Sequence, residues 1–260
     1  MLILLSPAKT LDFESAPKRK RTTVPRLMSQ TADLVAELKA LSQSDIASLM
    51  GVSDKLAQLN FDRFQDFEVP LPKAGTRPAI DAFQGDVYTG LRAESFTDKQ
   101  VAYAQAHLRI LSGLYGILRP LDRMLPYRLE MGTRLKTPQG KDLYAFWGDH
   151  LRELLQDDLE AAGGKTILNL ASKEYSKAVR LDHWAKQNPG LKVISPTFKE
   201  RRGGELKQIT LFAKQARGLM AAWAIRQKAK SPAKLTRFDT EGYQFAPELS
   251  STDRPVFVRG

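Results

Sequence analysis

The chain begins with an apolar run, Leu2 to Leu5, that stops at Ser6-Pro7. A run this short, closed by a turn signal, predicts a buried strand. The period then changes. Leu27, Leu34, Leu38 and Leu41 recur at intervals of seven, four and three, which predicts a helix over 27–41. Two shorter helical pieces, 45–50 and 54–60, flank Gly51, and Val69 to Pro78 is a proline-rich connector. Leu108 to Leu111, Lys165 to Leu170 and Leu191 to Ser195 read as further buried strands. Ser172 is placed to cap a helix over 173–184. Lys207 to Lys228 gives the clearest long helix, and β-like pieces follow at 243–246 and 256–258. Strands and helices mix without a regular βα repeat. The expected fold is therefore α+β or mixed α/β. It is read as one compact domain over 1–260, with a mixed sheet, surrounding helices and a helix-hairpin-helix element at about 43–61.

Charge sharpens the reading of the long helix. On a wheel of 100° per residue, Ile209, Phe212, Ala213, Ala216, Leu219, Met220 and Trp223 gather on one side. Lys207, Lys214, Arg217 and Lys228 gather on the other. Between Lys199 and Arg237 there are eleven basic residues and two acids, Glu200 and Glu205. The whole chain carries 40 Lys and Arg against 29 Asp and Glu, a formal net charge of +11, so most of the excess is concentrated here. A one-signed face of this kind suits an anionic partner such as the phosphate backbone of DNA.

Composition removes several classes of chemistry. There is no cysteine, hence no disulfide, thiolate metal site or iron–sulfur cluster. The three histidines, His107, His150 and His183, lack the local spacings of zinc sites, so no metal and no cofactor are expected. The "GGKT" at Gly163 to Thr166 resembles the end of a phosphate loop, but Leu159 stands at its first-glycine position and the segment leads into a strand. The opening apolar run is too short for a signal peptide and no later run approaches a membrane span, so a cytoplasmic protein without a membrane partner is expected. No protein partner is indicated.

Two places carry candidate chemistry. "LSPAKT" sets a hydroxyl, Ser6, and an ammonium, Lys9, just beyond a buried strand, where open sheets put ligand-contacting groups. "AFQGDVYTGL" (82–91) and "LRPLDRMLPYRLEM" (118–131) add mixtures of Gly, Pro, Tyr, Arg and Asp that suit a shaped cleft or a tight turn. If they converge, Ser6, Lys9, Asp86 and Arg128 would act on a phosphorylated or nucleotide substrate. The second place is "LMGVSDKLAQL". Gly51 supplies a permissive turn, Val52 an anchor, Ser53 a helix cap, Lys55 a cation in the first turn and Ala57 close packing. The sequence is close to the Leu-Pro-Gly-Ile-Gly-Pro-Lys-x-Ala pattern of DNA-binding hairpins, departing at Met50 and Ser53. Asp54 adds a charge unfavourable to phosphate. These residues fit a structural turn and a phosphate-binding hairpin equally well.

The chain as a whole resembles the YaaA family of bacterial peroxide-stress proteins. The resemblance is carried by "LSPAKTLDF", "AFQGDVYTGL", "LRILSGLYGILRPLDRMLPYRLEMG", "LNLASKEY" and "ISPTFKE". It implies a cytoplasmic protein that limits oxidative damage to DNA and protein and is associated with lower free iron. It also implies a mixed α/β fold with a helix-hairpin-helix and a basic cleft that binds double-stranded or distorted DNA, Gly51 to Lys55 holding the backbone. It names no catalytic residue.

Overall fold

The computed structural model describes residues 1–16 and 18–260. The predicted apolar runs become the middle of a five-stranded sheet ordered Gly116–Leu118, Leu108–Ser112, Leu2–Leu5, Thr166–Asn169, Lys192–Ile194. Leu2–Leu5 pairs in parallel with a strand on each side, Ile3 lying opposite Leu108 and Leu168. Its four side chains are all buried. A strand covered on both faces has no polar side to show, which is why the run is continuous rather than alternating. Gly116–Leu118 closes one edge antiparallel to Leu108–Ser112.

A second sheet of four strands is ordered Glu205–Lys207, Thr197–Arg202, Val256–Arg259, Gln244–Phe245. Phe198, Phe238, Tyr243 and Phe257 stack against it with centroids 5.5 to 6.2 Å apart. The long helix, Thr210–Arg226, touches both sheets. That position corrects the wheel reading. Gly218, Ala221, Ala222, Ala224 and Ile225 are buried along with Ala213, Ala216, Leu219 and Met220 of the expected apolar side, because the helix is covered from more than one direction. Phe212 and Trp223 stay half-buried, and Ile209 precedes the helix.

Two of the four cations assigned to that helix do not belong to it. The Gly203-Gly204 turn folds the preceding residues into a hairpin in which Lys207 pairs with Glu200, and the Lys207 ammonium meets Glu205 at 2.8 Å. Lys228 lies beyond the helix at a φ of 46°. The helix predicted over 173–184 is likewise interrupted, at Arg180 with a φ of 53°, giving Lys173–Ala178 and Leu181–Gln187. Lys214 and Arg217 remain on the long helix.

Around Gly51 the prediction of two short helices holds. Gln43–Met50 starts at a Ser42–Asp45 capping box, and Asp54–Gln65 packs against it. Gly51 ends the first helix in the left-handed region, φ 59° and ψ 46°. Its N–H and that of Val52 both donate to the Ala47 carbonyl, so these two amides serve the helix end. Ser53 stands at the N-cap position of the second helix but its hydroxyl makes no capping bond. The first-turn amides there lack a side-chain acceptor. Nothing lies within 4 Å of a Cβ added at Gly51, so Gly51→Ala strains only the backbone. It is expected to cost about 1 kcal/mol, read as a fall in the urea midpoint; an unchanged midpoint would refute a left-handed turn.

Candidate functional site

The order of the sheet creates a site. From Leu2–Leu5 the chain passes to the neighbour on one side, Leu108–Ser112, and later to the neighbour on the other, Thr166–Asn169. The connections therefore leave in opposite directions and open a crevice beyond the carboxyl ends of these strands. Ser6 follows the first strand and Ser172 follows the second. The Ser172 N–H donates to the Ser6 Oγ at 2.8 Å, and the Tyr88 hydroxyl donates to the Ser6 carbonyl at 3.0 Å, which fixes the Ser6 turn from two sides.

The crevice is a cleft of about 500 Å³. Ser6, Lys9, Asp86 and Arg128 all line it, so the four candidates scattered over 123 positions of sequence converge. Lys214 and Arg217 line the same cleft from the long helix. They arrive there because the helix Asp86–Leu91 crosses the long helix with backbone against backbone: a Cβ at Gly90 would fall on the Gln215 carbonyl, and one at Gly218 on the Val87 carbonyl.

Its electrostatics are uneven. Glu130 stands between two cations, 2.8 Å from the Lys9 ammonium and 3.4 Å from the Arg128 guanidinium. Asp86 is 4.0 Å from the Lys214 ammonium. Arg217, half-buried, makes no ion pair among the described residues, and burial lowers its pKa from the usual arginine value. The Arg128 Nε is buried with no hydrogen-bond partner among the described residues. Glu174 is turned aside to the backbone, accepting from the Gly132 N–H at 2.8 Å. Burial pushes the phenols of Tyr127 and Tyr175 upward, so both stay neutral near pH 7 and act as hydrogen-bonding walls rather than bases. Tyr127 is held by the Ser112 hydroxyl at 2.6 Å. Among the described residues no histidine lines the cleft. Such a site is equipped to hold an anion with several oxygens.

Gly51, Val52, Ser53 and Lys55 are not part of this cleft. The end of the helix Gln43–Met50 does border it: Leu49 and Met50 line an adjoining groove of about 340 Å³ together with Arg128, Glu130 and Glu174. Lys207 and Lys228 are exposed and lie outside both. Glu130, Glu174, Tyr127 and Tyr175 were not singled out as site residues from the sequence, although the first and third sit inside "LRPLDRMLPYRLEM" and the others inside "LNLASKEY". Among the described residues no group of three or more His, Cys, Asp or Glu is arranged to hold a metal ion, and no helix is long and apolar enough to cross a membrane.

Fold and cleft together define a class: an α+β protein with a cation-lined crevice at the point where the strand order of its five-stranded sheet reverses direction. Residues 1–249 match the family described as "Peroxide stress protein YaaA". The chain is also 52% identical over 259 residues to a "UPF0246 protein" of Alcanivorax borkumensis, with 100% of this chain and 98% of that relative covered. The chain belongs to the peroxide stress protein YaaA family.

Proposed function

We propose that this protein binds DNA through the phosphate backbone, without base specificity, and so limits iron-dependent oxidative damage during peroxide stress. The observation that carries this reading is the convergence of Lys9, Arg128, Lys214 and Arg217 on one cleft, with Arg217 partly desolvated and lacking a carboxylate partner among the described residues. A guanidinium taken out of water without a counter-charge is at a disadvantage that a phosphate removes. The adjoining groove beside Leu49 and Met50 extends the same surface toward the hairpin, whose second helix offers first-turn amides. Lys55, Lys207 and Lys228 would contribute at the periphery, as exposed point charges.

Fluorescence anisotropy with a labelled duplex, run over a salt series, tests it. Affinity of the intact protein should fall as salt rises, each phosphate neutralised releasing about 0.9 counterions. The double variant Lys214→Ala with Arg217→Ala should bind at least about tenfold more weakly, since each charge-assisted contact contributes roughly 1.5 kcal/mol or more. Lys207→Ala and Lys228→Ala should matter much less. Equal binding by the intact protein and the double variant would sink the reading.

One observation favours a second reading, an enzyme acting on a phosphorylated or nucleotide substrate. Ser6, Lys9, Asp86 and Arg128 share an enclosure of about 500 Å³, within the size range of small-molecule sites. Phosphate release from nucleotides that disappears in Ser6→Ala and Asp86→Asn would move the assignment to this reading.

A further inference from the structure

Glu130 occupies an unusual place in the cleft. Its carboxylate accepts a charge-assisted contact at each oxygen, Oε2 from Lys9 at 2.8 Å and Oε1 from Arg128 at 3.4 Å. The two cations come from different parts of the chain, Lys9 from the turn after the first strand and Arg128 from the segment 127–130, which also lines the cleft. A phosphate bridging them would use the same two contacts, and two oxygens of a phosphate are spaced like those of a carboxylate. Glu130 is about one-third exposed, with the cleft on one side and the Leu49–Met50 groove on the other, so its side chain has solvent to turn into. The remaining cations are treated differently. Lys214 has only the distant Asp86, and Arg217 has no carboxylate among the described residues.

We propose that Glu130 is an internal competitor for the phosphate site: its carboxylate stands on Lys9 and Arg128 where a phosphate of the ligand would stand, and the ligand must displace it. The inference rests on the phosphate-binding reading of the cleft given above. On this view the cleft has two grades of anion contact, an uncompensated one at Arg217 that makes the first encounter and a guarded one at Lys9–Arg128. A weak monoanion does not repel Glu130 or outbid it for both cations. A ligand offering adjacent phosphates does so, because it engages Arg217 with one group while contesting Lys9 and Arg128 with the next. Glu130 would thus set a threshold against the small anions of the cell.

The test uses the full chain, with labelled duplex DNA followed by anisotropy and inorganic pyrophosphate followed by calorimetry. Glu130→Gln keeps the shape and removes the charge, and it is expected to tighten both probes about five- to tenfold, the scale of losing one partly exposed ion pair and one like-charge repulsion. Glu130→Ala should act in the same direction, which covers a poorly folded glutamine variant. Asp157→Asn, on an exposed position away from the cleft, makes the same change in net charge and should leave both probes near the intact value. In a background of Lys9→Ala with Arg128→Ala the effect of Glu130→Gln should vanish, because the competition has nothing left to act on. Tightening no greater than that of Asp157→Asn, or tightening that persists in this background, overturns the proposal. Tighter pyrophosphate binding in Glu130→Gln alongside no duplex binding by any form would uphold the competitor and discard the DNA reading instead.

Discussion

Gly218→Ala is expected to destabilise the protein by about 3 kcal/mol, a large effect for one methyl group. Intrinsic helix propensity points the other way, since alanine is better than glycine in a helix interior by about 1 kcal/mol. The loss has to come from the crossing. A Cβ at Gly218 would fall on the Val87 carbonyl oxygen and lie 2.7 Å from the Leu91 nitrogen, both backbone atoms of Asp86–Leu91. Backbone cannot swing aside as a side-chain tip can, so the two helices must separate. A melting temperature lower by roughly 6–12 °C is the expected reading for a domain of this size. Separation also carries Lys214 and Arg217 away from Asp86 and the Ser6 turn, so duplex binding should weaken in the same variant at temperatures where it is folded. A Gly218→Ala protein as stable as the parent would refute the close crossing and, with it, the account of how the two cations reach the cleft.

This crossing also shows what sequence reasoning reached and where it stopped. The apolar runs at Leu2, Leu108 and Thr166 identified strands because nearly all their side chains are buried, and polar ones among them such as Arg109 and Ser112 are buried with hydrogen-bond partners. Their order in the sheet depends on contacts far apart in the chain and has no local signature, so the crevice beyond Ser6 was expected by rule while its second wall was not. The wheel gave the long helix one apolar side, with Ala213 and Ala216 on it, and left Gly218, Ala221 and Ala222 unassigned. Gly218, Ala221 and Ala222 are small because other elements press on them, which makes them core residues of a close contact. Lys207 and Lys228 fall outside the helix for local reasons: Lys207 lies in a strand opposite Glu200 after the Gly203-Gly204 turn, and Lys228 takes a φ of 46° past the last turn, neither of which a cation count can see. Ser6 and Lys9 were legible because they follow the first strand, whereas Asp86, at the start of a helix, and Arg128, in an irregular segment, were legible only as members of polar and aromatic clusters. Glu130 was passed over since a carboxylate beside basic residues looks like ordinary surface balance until its two oxygens are located.

Asp158→Ala should be the most destabilising carboxylate substitution in the chain, by roughly 3–5 kcal/mol. Asp158, on the helix His150–Ala161, is almost fully buried and receives two guanidinium forks. Arg109 donates through Nε at 2.6 Å and Nη2 at 2.8 Å, and Arg26 through Nη1 at 2.8 Å and Nη2 at 2.7 Å. Arg109 is itself 4% exposed, and its other N–H groups go to the carbonyls of Gln105, Ala106 and Leu108. Removing the carboxylate leaves a buried guanidinium without a counter-charge, a worse state than removing the whole network. The combined variant Asp158→Leu with Arg109→Met should therefore recover much of what Asp158→Ala loses. Acid titration gives an independent readout. Burial alone would raise the Asp158 pKa, but the bonds and charges of Arg109 and Arg26 outweigh it and hold the group at about 2, against an ordinary 3.8. A carboxyl depressed in the folded state contributes stability that is complete above the unfolded value and disappears as pH falls through the folded one. Urea midpoints of the intact protein should drop between about pH 4 and pH 2, and Asp158→Asn should flatten that part of the curve while lowering it throughout. The network ties the helix to the strand beside Leu2–Leu5, with Arg109 in register opposite Leu4, two residues before Ser6. Loss of Asp158 should reach the cleft only through stability: at low temperature, where the variant is folded, duplex affinity should match the parent, and a specific loss of affinity there would contradict a purely structural role.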